Sequence, residues 1–429
     1  MRYFTSSGIV IGSRAAGVLI GFATQLLLAR ILPVTELGIY FTVMSLAAVL
    51  SVFCTVGYPM IMPRFVAKAA KTKDYVKFSA FLAKARTDWI GMSFILVLLG
   101  GGLAAFWPAL DFNLRASLIA GILTAPFLAS LRLNGSLANA LRRFALGFVP
   151  DLLIRPAVFS LLIIVFWYLM SGIDVISILL IHLAVASVLA AWQYFRIRRP
   201  FGYSQDQDDY HMPGGNCPEG VRSQAAFMLI AMLFVAVIAD VGILSASVML
   251  SNKELAIFAI CLKISTICGF AVYAVQQISV RDAADAILDS EAGSLKSVLL
   301  RTNLTSLFIA LTAFFFIYLF GEEILTFFGP QFAVGYQCLL ILMTVNIFTA
   351  LAGPTMQIIG IIGEEKSSSL VFLSAMILLF LLNLLLTPEY GLIGAGLAFM
   401  LTMMVWPFML GYIISKKTGI HPANFIAGS

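Results

Sequence analysis

The sequence predicts an all-α polytopic membrane protein, with about 12 transmembrane helices in two six-helix lobes related by a parallel internal repeat. Three observations predict it. The chain is 61% hydrophobic and 11% charged, whereas soluble domains are about a quarter charged. Its apolar residues gather into runs close to the ~20 residues that a spanning helix needs. The second half also repeats the first: Glu36-Leu37-Gly38-Ile39-Tyr40 and Glu254-Leu255-Ala256-Ile257-Phe258 stand 218 positions apart.

In chain order the runs fall at 8–30, 37–62, 89–109, 117–137, 148–172, 174–195, 225–250, 254–280, 303–320, 336–361, 367–387 and 391–415. The first continues through Arg14 to Arg30 without a small-residue cleavage site, so it reads as a retained helix rather than a signal peptide. Only Ser171-Gly172-Ile173-Asp174 separates the fifth from the sixth. Shifting the third to sixth runs by 218 positions lands them on the ninth to twelfth. Six helices per half is an even number, so the halves share one orientation, the parallel-repeat plan of many transporters. The domain reading is an N-terminal six-helix lobe at 1–195, a linker rich in Gly and Pro at 196–224, a C-terminal lobe at 225–415 and a tail at 416–429.

Lys and Arg divide 21 to 3 between the two sets of loops, which places both termini in the cytoplasm. That count assigns Arg132 to a cytoplasmic loop at 132–147. Loop 63–88 carries Lys71, Lys73, Lys77 and Lys84 around Tyr75, Phe78, Phe81 and Leu82, a pattern that fits a basic amphipathic helix on the inner leaflet or a helix that only obeys the positive-inside rule. With the charge distributed this way, the net +6 implies no nucleic-acid partner. The five cysteines show no paired spacing, and neither a metal site nor a cofactor motif is present.

The seventh and eighth runs form a hairpin about the polar turn Ser251-Asn252-Lys253-Glu254. Asp240 lies 12 residues before Asn252 and Lys263 lies 11 after it, so straight helices would place both at one depth. Charges at such depth are expensive unless paired or wetted, which makes them functional candidates. Asp240 could neutralise Lys263 or exchange a proton or sodium ion. Arg14 could face a cavity or snorkel to the inner surface. Arg155 follows Asp151 by four residues, so an intrahelical pair is available. Gln25, Asn346, Gln276, Gln277 and Asn383 could line a cleft or tie helices together. A lone imidazole such as His182 more often bonds a backbone carbonyl than shuttles protons. Gly353-Pro354 should bend or break its helix.

The stretches ARILPVTELGIY (29–40), GEEILTFFGPQFAVGYQCLLIL (321–342) and NLLLTPEYGLIGAGLAF (383–399) resemble the polysaccharide transporter branch of the multidrug/oligosaccharidyl-lipid/polysaccharide exporter superfamily, which includes the O-antigen flippases. ADVGILSASVMLSNKELAIFA (239–259) and LRRFALGFVPDLLIRP (141–156) are similar to two of its interhelical links. The resemblance implies alternating access between two lobes and an oligosaccharide cargo carried on undecaprenyl diphosphate, for cell-surface polysaccharide synthesis. It further implies residence in the bacterial inner membrane, contact with membrane lipids, and glycan polymerase or glycosyltransferases as neighbours. No acidic residue occurs in the first span, a poorer match to the cation-coupled drug-exporting branch.

A diphosphate cargo makes Arg14, Arg155 and Lys263 the binding candidates, because Arg grips phosphate bidentately and Lys acts as a point charge. Gln25 and Asn346 join them as sugar contacts. Asp240 and Asp151 are either ion-coupling groups or structural partners of those cations. No enzyme is expected: Asp206-Gln207-Asp208-Asp209 sits in a Gly/Pro linker, and no phosphate-binding loop occurs. The alternatives are a drug/cation antiporter of the same superfamily and a membrane-embedded glycan enzyme.

Overall fold

A computed structural model describes the backbone of residues 2–108, 111–170, 172–197, 220–288, 292–362 and 364–419. Helices account for nearly all of it, and no strand occurs among the described residues. The chain divides into two compact units, Met1–Asp240 and Val241–Ser429.

The first unit holds α1 (Arg2–Ile31), α2 (Val34–Cys54), α3 (Tyr58–Thr72), α4 (Tyr75–Phe106), α5 (Phe112–Ala140) and α6 (Phe144–Val149). A π-helical turn at Pro150–Ile154 leads into α7 (Arg155–Met170), followed by α8 (Val175–Ile197) and the first part of α9 (Val221–Ser247). Helix α5 is the core of the unit, with α2, α4 and α8 packed around it. Its caps come from the sequence: Asp111 accepts from the Leu114 amide at 3.3 Å, and Asp74 does the same for α4 through the Lys77 amide at 3.0 Å. Such side chains satisfy amides that have no partner in the first turn.

The second unit holds α10 (Asn252–Ile278), α11 (Val280–Leu288), α12 (Ala292–Phe328), a 3₁₀ turn at Pro330–Gly335, α13 (Tyr336–Ala352), α14 (Thr355–Ile362) and α15 (Glu365–Thr418). The polar turn before α10 is a capping box, in which Ser251 and Glu254 exchange side-chain and backbone hydrogen bonds. Gly353-Pro354 does end its helix: α13 stops at Ala352 and Gly353 takes φ +74°. Helix α15 is two passes in one, broken at Gly391 with φ +54° and ψ −129°. Its ends then meet, Lys417 Nζ lying 2.8 Å from Glu364 Oε1. A 54-residue rod could not bring its ends together, so the halves run antiparallel.

Among the described residues, ten helices are long and apolar enough to cross a membrane. The second pass of α15 and the apolar Ala16–Ile31 stretch of α1 complete the twelve expected. Their outward faces carry bulky apolar side chains, including Phe94, Leu98 and Leu103 on α4 and Phe308, Phe315 and Leu319 on α12. Continuous apolar surface of that kind suits lipid rather than water.

Three expectations need correction. Loop 63–88 is no separate surface helix: residues from Tyr75 onward are the opening turns of α4. Phe78 and Phe81 point into the protein, where Phe65 stacks on Phe81 at 4.1 Å between centroids. At the ends of the expected linker 196–224, residues up to Ile197 belong to α8 and those from Val221 to α9, while residues 198–219, including Asp206, Asp208 and Asp209, lie outside the described residues. Finally, α9 is not straight. Val237 leaves helical geometry (φ −142°, ψ 21°), so counting residues along one rod does not give the depth of Asp240.

Candidate functional site

The first unit contains a cluster of ionisable side chains assembled from five helices. Its base is the π-helical turn. Pro150 has no amide hydrogen to give the preceding turn, and the Arg155 amide donates five residues back to the Pro150 carbonyl. This wider turn keeps residues four apart on one face, and Arg155 Nε meets Asp151 Oδ1 at 2.7 Å. π-Turns inside α-helices often mark functional positions. The two side chains keep 26% and 34% of their surface exposed, so a ligand or water can reach them.

Arg155 also reaches α8, where its Nη1 lies 3.2 Å from His182 Nε2. His182 bonds this guanidinium instead of the backbone carbonyl expected. The imidazole is backed by Phe159, edge to ring at 4.7 Å, and Phe159 stacks in turn on Tyr40 of α2. Tyr40 also senses the Arg155 charge.

The member that sequence reasoning misassigned is Arg132. It sits inside α5 rather than in a loop, half-buried, and interacts electrostatically with Asp151, Asp240 and Arg155. The signal was available, since Leu131, Leu133, Leu137 and Ala138 continue the buried apolar pattern past it to the end of α5. Asp240, on α9, accepts a hydrogen bond from Ser45 Oγ of α2 at 3.1 Å. Two guanidinium groups and two carboxylates are therefore gathered within this unit. Mixed charges placed in this way compensate one another where water is scarce.

A second polar knot, also missed, fastens the start of α9. Asp88 of α4 is only 7% exposed, yet Arg222 grips it through both Nε, at 2.9 Å, and Nη2. Tyr58 donates to the same carboxylate at 2.7 Å and Lys84 stands 3.3 Å away. Beside it Gly57, with φ +80°, lets the Ala225 carbonyl approach so closely that a Cβ would lie 1.9 Å from its oxygen.

The remaining candidates are dispersed. Arg14 lies on α1, and its side chain is outside the described residues. Gln25 is half-buried on the same helix, its Oε1 buried and unmatched among the described residues. Lys263 is half-buried on α10, in the second unit. Asn346 is an interhelical tie: its amide donates to the Ser265 carbonyl at 3.1 Å across α10 and α13. Gln276 bonds the Thr349 carbonyl at 3.1 Å and Asn383 bonds Ser245 at 2.9 Å, which are the same kind of contact. Among the described residues no group of His, Cys, Asp and Glu could hold a metal ion.

No family model matches the chain, and no curated protein sequence does either. Solved structures do. An inward-facing multidrug resistance MATE family transporter of the MOP superfamily matches with a TM-score of 0.69 over 94% of each chain, at 14% identity. The lipid II flippase MurJ, in an inward closed conformation, matches with a TM-score of 0.70 at 13% identity, over 98% of this chain and 90% of that one. This chain has the fold of those exporters and flippases. An outward-facing MATE transporter gives 0.63 at 12% identity, covering 96% of this chain and 95% of the other. Fold likeness at such identity extends to architecture and leaves the cargo to be argued from side chains.

Proposed function

We propose that the chain is a flippase that translocates undecaprenyl-diphosphate-linked oligosaccharide from the inner to the outer leaflet of the bacterial inner membrane, with both termini cytoplasmic. The single observation that carries this reading is Arg155, held 2.7 Å from Asp151 yet partly exposed inside the first unit, where Arg132 adds a second positive charge that acts on Asp151 and Asp240. Guanidinium groups suit a diphosphate, which accepts their paired N–H bonds. Arg14 and Lys263 are the further cations along the path. Two six-helix lobes that expose this path alternately to each face would spare the sugar from crossing hydrocarbon. The driving force is an ion gradient, of protons or sodium, or the membrane potential, and glycosyltransferases or a glycan polymerase are the neighbouring partners. The likeness to MurJ, a lipid II flippase, supports this reading.

The second reading is a drug/cation antiporter, favoured by the likeness to MATE transporters and by the carboxylates of Asp151 and Asp240. Proteoliposomes discriminate the two. With a lipid-diphosphate oligosaccharide loaded in one leaflet, native protein should move it to the other. R14A and K263A should slow that movement about tenfold or more, the loss expected of one charged contact worth 1.5–3 kcal/mol. Movement of a cationic dye under a pH gradient, with no movement of the lipid, would replace the flippase by the antiporter.

A further inference from the structure

The two ring nitrogens of His182 have unequal surroundings. Nε2 faces Nη1 of Arg155 at 3.2 Å. A guanidinium donates and never accepts, so Nε2 must present its lone pair there. The imidazole is then neutral and carries its hydrogen on Nδ1. That nitrogen is buried and meets no acceptor among the described residues, while the whole side chain is only 5% exposed. A buried donor without an acceptor is costly to maintain. The tautomer is therefore imposed by Arg155 rather than chosen by the ring's own surroundings.

A second proton on this ring would have to enter at Nε2, the position that Arg155 occupies. Protonation and the Arg155 contact exclude each other. The charged and titratable groups around the ring are few. Arg155 and Asp151 face it from the π-turn and α7, Arg132 acts on that pair from α5, and Tyr40 acts on Arg155 from α2. Glu36, also on α2, is bound to the Val175 amide at the N-terminus of α8. Arg155 is the member that can leave, because it stands at the end of the π-turn and keeps 26% of its surface.

We propose that His182 is a proton-binding site unlocked when an anionic ligand draws Arg155 away. The step balances simply. A hydronium ion gives its proton to the Nε2 lone pair: one O–H bond breaks, one N–H bond forms, and a water molecule is released. The imidazolium then supplies the positive charge that Asp151 loses with Arg155. Capture of one diphosphate is thereby tied to uptake of one proton. The diphosphate arm of this inference rests on the cargo proposed above; the Arg155 lock does not.

The test uses the full-length chain with H211Q and H421Q, which leaves one of its three histidines, labelled with ¹⁵N and held in lipid nanodiscs. Without ligand, the spectrum should show a neutral ring protonated on Nδ1 and silent between about pH 5 and 8. A ring protonated on Nε2, or one titrating near its ordinary value of about 6.5 with Arg155 present, overturns the proposal. R155Q should make the ring titrate within that window. If R155Q does not fold, R155K serves as the second variant, and the tautomer of the native ring needs no substitution at Arg155. Addition of inorganic pyrophosphate or farnesyl diphosphate should raise proton uptake towards one per bound anion, and H182Q should abolish that uptake. Binding without uptake overturns the coupling. If neither anion binds while R155Q still frees the ring to titrate, the cargo reading falls and the proton site stands.

Discussion

At the scale of single residues, Arg132 is the most consequential side chain in the first unit. Its charge acts on both Asp151 and Asp240, which sit on different elements. Replacing it with Gln should leave carboxylate charge poorly compensated and cost about 3 kcal/mol or more, read as a lower melting temperature in detergent. Adding D151N should restore part of that loss, and equal damage in the single and double variants would disprove the link. The contrast with Arg155 shows what a sequence can carry. The Asp151–Arg155 contact was legible because a spacing of four puts both on one side of a turn. Arg132 was misplaced because a lone charge near a run's end looks the same whether it closes the helix or lies inside it. Asp88 and Arg222 were invisible for a different reason: their partnership joins residues 134 positions apart, and no local pattern encodes it.

Among elements, glycines decide two of the turns that matter most. G57A would place a Cβ against the Ala225 carbonyl in a left-handed conformation, a strain of more than about 1 kcal/mol from the backbone alone. The expected result is lower yield and a lower melting temperature, and an unchanged melting curve would show that α9 is not held there. The α15 hairpin offers a pH test. Hydrogen bonds from Lys417 and Ser367 hold the Glu364 carboxyl below its usual range. Its contribution is thus complete above the unfolded value and fades as pH falls through the lower folded one. Melting of native protein and E364Q should differ at pH 7 and converge in acid; a constant difference would mean that the clip carries no stability. Sequence patterns foresaw the Gly353-Pro354 break but not the Val237 one, since neither Val237 nor its neighbours are residues that disrupt helices.

For the molecule as a whole, the architecture was legible because lipid imposes a length and an apolar face on every pass. The parallel repeat and the short turns followed from that regularity, and the likeness to solved exporters and flippases agrees with it. Cargo was less legible, because it depends on a few charges in chosen places rather than on a pattern spread over hundreds of residues. The mooring of α9 bears on how the two ends of the sequence find one another. Arg222 on Asp88, and Ala225 against Gly57, hold α9 to α3 and α4 through contacts that do not need the peptide chain between Ile197 and Val221. Residues 1–208 and 209–429, expressed as separate polypeptides in one cell, should therefore reassemble and co-purify. D88A should make the same two pieces part company.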